Sequence, residues 1–257
     1  MRKMTRAAVG AAVLGVLWAG ALVASQAAQP VRGVPVLMYH RVDPQLSAHD
    51  PITVSLTVMT PAFETQLRLL RAAGYESAQL ATVLDALDHR ASLGERQVIL
   101  TFDDGYEDNY TVVFPLLRKY GFTATFFVVT SVVGTRDHLT ASQIREMAGA
   151  GMDIESHGVH HIDFSVLAPE VARRELVESR KKIEGWTGRP VAFFAYPAGR
   201  YNEALERLLE ALGYRGALTT RYGFVTADSR PFALGRVRIT HDDTPGSFTH
   251  KLGLPLP

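Results

Sequence analysis

The 257-residue sequence contains no cysteine, no internal repeat and no marked excess of either charge. Without cysteine the chain has no disulfide, no thiolate metal ligand, no cysteine nucleophile and no cysteine for lipid attachment. Lysine and arginine number 27 and aspartate and glutamate 26, so neither a nucleic-acid-binding surface nor a disordered acidic tail is predicted. At 47% hydrophobic residues, the chain is long enough to bury one large core.

The first 27 residues are typical of an export segment. Three basic residues lie among the first six, an apolar stretch covers 7–24, and Ser25 and Ala27 stand at positions −3 and −1 of a cleavage site. This order is that of a signal peptide. An apolar stretch of about 18 residues also just spans a bilayer, so an uncleaved membrane anchor is the alternative. Either way, residues 28–257 are expected as one domain outside the cytoplasm, touching the membrane only through this segment.

The rest of the chain alternates apolar runs with amphipathic segments. Strands are predicted over 34–39, 98–102, 123–129, 152–156, 191–195, 216–220 and 236–240. Helices are predicted to begin at residues 60, 108, 140, 169 and 202. Continuously apolar strands separated by helices indicate a parallel sheet with helices outside it. About seven such units favour an α/β fold of the closed or nearly closed β/α barrel type, with an open doubly wound sheet as the alternative.

Polar residues stand at the carboxyl ends of these predicted strands. A parallel barrel gathers those ends on one rim, where ligands bind. Residues scattered over most of the chain are therefore expected to become neighbours. They are His40, Asp103, Asp104, His157, Tyr196 and His241.

The strongest single motif is Thr-Phe-Asp-Asp-Gly-Tyr, which contains Asp103 and Asp104. Two adjacent carboxylates resist joint ionisation unless a cation or a donor intervenes. A metal ion resolves the conflict by holding one carboxylate, which leaves the other free to act as a base. A solvated turn is the alternative, because Asp-Asp-Gly is common in turns.

A second motif, Ser-His-Gly-Val-His-His, places His157 and His161 four residues apart. That spacing suits a shared metal ion, and His160 offers a second geometry. Two histidines and one carboxylate, with coordination positions left open, form a hydrolytic Zn²⁺ site. The same ligands also serve Fe²⁺ and its neighbours.

The sequence resembles the NodB-homology polysaccharide deacetylases, carbohydrate esterase family 4, from about Val34 to the C-terminus. VPVLMYHRV, TFDDGY, ATFFV, SHGVHH and FAYPAGRYN carry the resemblance, in that order. It implies a distorted (β/α)₇ barrel with a single catalytic domain, and Asp103 as the general base. It also implies Asp104, His157 and His161 as ligands of a divalent metal, Zn²⁺ first and Co²⁺, Ni²⁺ or Fe²⁺ next. The opening VPVLMYHRV and the TPAFETQLRLLRAAGY helix resemble the branch acting on poly-N-acetylglucosamine.

The sequence departs from the family pattern at two points. Ala195 stands where most relatives have an arginine held against the base, and Arg238 is the predicted substitute. The leucine-x-histidine motif that supplies the general acid in relatives is not evident. We therefore predict His241, at the end of the last strand, as the acid, with His40 as the alternative.

Substrate contacts are predicted for the rim residues His40, Tyr106, Tyr196, Pro197 and Arg238. The charged run over 173–182 is predicted to be a solvated helix face.

The chain is thus predicted to be an exported, monomeric, metal-dependent N-deacetylase that releases acetate from a polysaccharide containing N-acetylglucosamine. The site motifs leave two alternatives open. One is an O-acetyl esterase acting on xylan or a similar polymer, and the other is a non-catalytic glycan-binding member of the same fold.

Overall fold

The computed structural model describes residues 33–45, 50–88 and 96–254, so the predicted export segment over 1–27 lies outside the described residues. Within those ranges the strands are β1 (Val34–Tyr39), β2 (Arg41–Asp43), β3 (Thr57–Met59), β4 (Glu76–Ser77), β5 (Gln97–Asp104), β6 (Thr125–Val128), β7 (Asp153–Ser156), β8 (Phe193–Ala195), β9 (Gly216–Leu218), β10 (Phe224–Val225) and β11 (Val237–Arg238). The helices are α1 (Pro51–Leu56), α2 (Thr60–Ala72), α3 (Leu80–Leu87), α4 (Phe114–Tyr120), α5 (Ala141–Gly149), α6 (Pro169–Thr187), α7 (Glu203–Ala211) and α8 (Pro245–Lys251). None of these helices has the length and apolar character needed to cross a membrane.

Seven parallel strands form the wall of a barrel. Six of them run in the order β1-β5-β6-β7-β8-β9, and β11 lies along the other edge of β1. Leu218 at the end of β9 bridges Leu234, just before β11, so the wall continues from β9 back towards β1. β10 adds an antiparallel pairing at the start of β1. The predicted (β/α)₇ barrel is therefore confirmed, and the open sheet is not what forms.

The apolar runs of the strands are buried on both faces. Leu37 and Leu100 belong to a large cluster shared with the outer helices, whereas Val36 and Ile99 belong to a smaller one. Because successive side chains of a strand point to opposite faces, the smaller cluster fills the barrel interior. Asp103 falls on the same face of β5 as Ile99, so the interior turns from apolar to polar towards the carboxyl ends of the strands.

The structure differs from the predicted elements in length and in its short pieces. The helix predicted over 108–120 is a π-helical turn, Asn109–Val113, followed by α4. The last predicted strand, 236–240, shortens to the two residues of β11. α1, α3, β2 and β3 were not predicted, because segments of three to eight residues carry too little periodicity to stand out.

Candidate metal and active site

Three potential metal ligands meet at the carboxyl ends of neighbouring strands. Asp104 ends β5, His157 follows β7 directly, and His161 lies four residues further on. Their ligand atoms all lie within 4.8 Å of one another. The Nε2 atoms of His157 and His161 lie 3.4 and 3.6 Å from Oδ1 of Asp104.

The backbone aims two of these side chains. Asp104 adopts a left-handed φ of +75°, and Gly105 follows at +78°, so the chain turns sharply where β5 ends. A non-glycine residue with a left-handed φ costs energy, and such strained residues cluster at functional sites. His157 is buried, and its Nδ1 lies 2.7 Å from the carbonyl oxygen of Ala195. Donation of the Nδ1 proton to that carbonyl leaves Nε2 as the free ligand atom facing Asp104.

The cluster fits a divalent cation. Oδ1 of Asp104 is buried and has no hydrogen-bond partner among the described residues, a costly state for a carboxylate oxygen. Ligand atoms of a tetrahedral Zn²⁺ with bonds of about 2.1 Å lie roughly 3.4 Å apart, close to the separations from this atom. Burial acts to raise the pKa of Asp104, but the neighbouring histidines outweigh burial and hold the pKa well below its usual range. Its carboxylate therefore stays ionised, as a metal ligand requires.

Asp103 lies beside this cluster in a bidentate ion pair with Arg236. The guanidinium nitrogens Nη1 and Nη2 lie 2.8 and 2.7 Å from the two carboxylate oxygens. Arg236 is 0% exposed and Asp103 2%, and Nε of Arg236 donates to the carbonyl of Thr219 at 2.9 Å. Burial raises the pKa of Asp103, yet Arg236 more than offsets it, so the pKa lies below the usual value. The arginine held against Asp103 is thus Arg236, whereas Arg238 was the predicted substitute.

The two histidines considered as the acid occupy different surroundings. His40 directly follows β1. Burial is the largest influence on its imidazole and lowers its pKa, while the charges of Asp103 and Asp104 act to raise it. Its Nδ1 is buried without a hydrogen bond in the part of the chain that the structure describes. His241 instead lies against the end of α1 and the start of β3, with Nδ1 3.3 Å from the carbonyl oxygen of Thr57. Of the two histidines, His40 is therefore the one on whose imidazole the charges of both aspartates act.

The π-helical turn after the Asp-Asp motif fixes the backbone around His40. Asn109 donates from Nδ2 to the carbonyl oxygen of His40 at 2.9 Å. Asp108 accepts from the amide of Val42 at 3.2 Å and from Nε of Arg41 at 2.9 Å. π-helical turns occur frequently at functional sites. Here the turn links the carboxyl ends of β1 and β5.

Tyr106 keeps its hydroxyl near the cluster, but its ring is already packed. The guanidinium of Arg41 lies 4.7 Å from the ring centroid, and the ring of His138 stacks 5.3 Å away. Burial, followed by the charge of Asp104, raises the pKa of Tyr106 to about 12. Tyr106 therefore offers a neutral hydroxyl to a ligand rather than an open aromatic face.

Tyr196 and Pro197 are both buried, and Tyr196 is bonded into the barrel wall. The amide of Tyr196 donates to the carbonyl of Leu218 at 3.0 Å, and its hydroxyl donates to the carbonyl of Phe232 at 2.9 Å. Its ring stacks on Tyr201 with centroids 4.8 Å apart. The carbonyl oxygen of Tyr196 accepts from the amide of Gly199 at 2.7 Å, so all three of its polar atoms have partners and none supports the predicted substrate contact.

Comparison with known proteins identifies the family. Residues 90–217 match the family model described as polysaccharide deacetylase. The polysaccharide deacetylase homologue YxkH of Bacillus subtilis is 35% identical over 209 residues, which cover 80% of this chain and 71% of that protein. The chain belongs to the polysaccharide deacetylase family.

Two further relatives of this polysaccharide deacetylase bear on its fold and chemistry. The Streptococcus pyogenes deacetylase PplD, solved in complex with acetate, superimposes with a TM-score of 0.79 at 30% identity, covering 87% of this chain and 99% of that one. The poly-β-1,6-N-acetyl-D-glucosamine N-deacetylase of Staphylococcus epidermidis is 24% identical over 230 residues, covering 80% of this chain and 78% of that protein.

Two residues of the deacetylase site were missed from the sequence. Arg236 and Arg238 stand two apart in the predicted strand 236–240, so alternation assigns both to the same face and does not separate them. Glu175 lies within the charged run predicted to be solvated, yet it is 7% exposed and binds the segment between His157 and His161. The signal for Glu175 was its spacing of three residues from the apolar Ala172, which places the two side chains on one face of α6.

Proposed function

We propose that this polysaccharide deacetylase hydrolyses the N-acetyl groups of N-acetylglucosamine units in an exported polysaccharide, releasing acetate and leaving a free amine. The observation that carries the proposal is the Asp104, His157 and His161 cluster, with the ion-paired Asp103 beside it. The substrate class follows from the S. epidermidis relative, whose name specifies poly-N-acetylglucosamine. The acetate bound to PplD supports acetyl transfer to water as the chemistry.

Asp104, His157 and His161 are proposed to hold a divalent metal ion, Zn²⁺ first and Co²⁺, Ni²⁺ or Fe²⁺ next. One carboxylate and two imidazoles are ligands that these metals share. When bound, such an ion lowers the pKa of water and polarises the acetyl carbonyl. The two imidazoles approach the same carboxylate oxygen of Asp104, which supports one cation shared by all three side chains.

Asp103 is the proposed general base. Its carboxylate takes a proton from the water that attacks the acetyl carbon. Arg236 fixes both carboxylate oxygens, so the base has one orientation and remains ionised before the proton arrives. The same buried guanidinium disfavours the protonated form of Asp103. Release of that proton is therefore favoured once the carbon–nitrogen bond has broken.

His40 is the proposed general acid, in place of the sequence prediction, His241. The departing amine needs a proton, because a free amide anion is too basic to leave. The charges of Asp103 and Asp104 act on His40, whereas His241 contacts the backbone at the end of α1 and the start of β3. Arg238 and the Tyr106 hydroxyl remain proposed substrate contacts beside this centre.

The protein is proposed to act outside the cytoplasm as a monomer. The basic and apolar order of residues 1–27 supports export, and any membrane contact is proposed to run through that segment alone. Residues 28–257 are proposed to constitute the deacetylase domain.

The test measures acetate release from N-acetylglucosamine oligomers and from acetylated xylan, before and after metal stripping. We expect release from the oligomers that disappears with a chelator and returns with Zn²⁺. Asp103→Asn should retain the metal and lose activity. Activity on xylan alone would replace the proposal with an O-acetyl esterase, and metal-loaded wild type without activity on either would indicate a glycan-binding protein.

A second assay separates the two acid candidates. Hydrolysis of p-nitrophenyl acetate needs no acid, because the phenolate leaves without a proton. We expect His40→Gln to lose roughly 10²- to 10⁴-fold in kcat on N-acetylglucosamine oligomers and to keep ester hydrolysis. His241→Gln is the matched control. If His241→Gln shows the selective loss instead, the sequence prediction is right and the assignment of His40 fails.

A further inference from the structure

The Glu175 carboxylate binds three groups of the loop that joins His157 to His161. Oε2 of Glu175 accepts from the amide of Val159 at 3.0 Å and from the amide of His160 at 2.8 Å. Oε1 lies 2.7 Å from Nδ1 of His160. The residue is 7% exposed and comes from α6, a different element from either histidine. One buried side chain thus holds the backbone midway between the two proposed metal ligands.

The two ligands differ in how their rings are held. His157 follows β7 directly, and its ring is oriented by the carbonyl of Ala195. The His161 side chain is 47% exposed, and its Nε2 lies 3.6 Å from Oδ1 of Asp104, the atom with which it would share the cation. The position of His161 therefore depends on the path of the backbone before it. Glu175 binds that backbone at the two residues immediately preceding His161.

Other contacts hold only the first part of this loop. The amide of Thr130 donates to the carbonyl of Gly158 at 3.1 Å, and the amide of Ser131 donates to the carbonyl of Val159 at 2.9 Å. Both tie the loop to the segment that follows β6. Among the described residues, the side chain of another element that hydrogen-bonds the loop between Val159 and His161 is Glu175, and the next such contact along the chain is that of Arg200 with Asp163 at 2.9 Å. Loss of the Glu175 carboxylate would therefore loosen the part of the loop that immediately precedes His161.

We propose that Glu175 is a positioning residue that sets His161 for metal binding. The inference rests on the metal site proposed above. Without the carboxylate, the amides of Val159 and His160 lose their acceptor, and the loop repacks to satisfy them. His161 then spends less time within reach of the cation shared with Asp104 and His157. Groups that orient metal ligands typically account for 10- to 100-fold in metal affinity.

The competing explanation is that Glu175 only stabilises the fold. In that case its removal lowers the melting temperature of the metal-free protein and leaves the affinity of the folded protein for metal unchanged. The two explanations therefore predict different dissociation constants for Zn²⁺ in the variants. This constant is measured on metal-free protein by competition with a chromophoric chelator.

Four variants make the measurement decisive. Glu175→Ala removes every contact of the carboxylate. Glu175→Asp keeps the charge on a side chain shorter by one methylene, and it provides the test if the alanine variant does not fold. Both should bind Zn²⁺ about 10- to 100-fold more weakly than the wild type. Glu175→Gln has the same shape and can still accept from both amides, so it should bind close to the wild-type value. Glu178→Ala, at an exposed site on the same helix, is the matched control and should change nothing.

Wild-type affinity in folded Glu175→Ala or Glu175→Asp would overturn the inference, as would an equal loss in Glu178→Ala. Absence of Zn²⁺ binding by the wild type would reject the proposed metal site itself. That failure is visible before any variant is compared.

Discussion

Replacing Arg236 with methionine should destabilise the protein strongly. Methionine fills much of the same volume but leaves the Asp103 carboxylate, 2% exposed, without its two guanidinium hydrogen bonds. Removing one partner of a buried ion pair costs about 3–5 kcal/mol, because the remaining charge is left uncompensated. In a domain of this size each kcal/mol corresponds to about 2–4 °C, so the melting temperature should fall by roughly 10 °C.

A double-mutant cycle tests the cause of that loss. Asp103→Asn removes the buried charge, so the combination with Arg236→Met should recover most of the lost stability while activity stays absent. Arg238→Met is the control, since Arg238 is half-buried two residues along the chain, and its loss should change stability by at most about 1 kcal/mol. The free energy of unfolding is measured by urea denaturation. If Arg236→Met costs no more than Arg238→Met, or if Asp103→Asn gives no recovery, the ion pair is not what holds the site together.

Two further predictions concern stability away from the centre. Burial raises the pKa of Asp153 to about 6, so the folded state holds its proton more tightly than the unfolded chain, and stability is lost as the pH rises from about 4 through 6. The free energy of unfolding of Asp153→Asn, measured by urea denaturation, should therefore rise relative to that of the wild type between those pH values. If the difference between the two proteins does not change with pH, the raised pKa of Asp153 is contradicted. Gly199 has a φ of +70°, and an added Cβ would lie 2.8 Å from the amide nitrogen of Thr220, so Gly199→Ala should cost roughly 2 kcal/mol or more. Gly185→Ala, inside α6 with no atom within 4 Å of its Cβ, should instead stabilise by about 1 kcal/mol, and equal effects of the two changes would refute the steric argument.

The fold could be predicted from the sequence because its signals are local. The helices predicted to begin at residues 140 and 202 both start with a side-chain cap: Thr140 accepts from the amide of Gln143, and Asn202 accepts from the amide of Leu205. The run at β5 is apolar throughout because both faces of the strand are buried. A barrel then follows from the alternation of such strands with capped helices.

The proximity of Asp104, His157 and His161 could also be predicted, because parallel strands bring their carboxyl ends to one rim. The partner of Asp103 could not. Arg236 and Arg238 share a face of the predicted strand, and only the register of β11 beside β1 decides which guanidinium reaches the carboxylate.

Glu175 and His40 show a different limit. Charge patterning predicts which face of a helix is solvated. The carboxylate of Glu175 is buried nonetheless, because the loop that follows β7 folds over it. His40 and His241 both follow strands, and their sequence surroundings do not reveal that one lies among the aspartates while the other lies beside α1.

The counter-charge of the proposed base is 133 residues away from it along the chain. During synthesis, or during passage across a membrane N-terminus first, Asp103 emerges long before the guanidinium that neutralises it. The barrel therefore cannot close over this carboxylate at low cost until its final strand has arrived. Catalytic competence is expected to appear late, once nearly the whole domain has reached the compartment where it works.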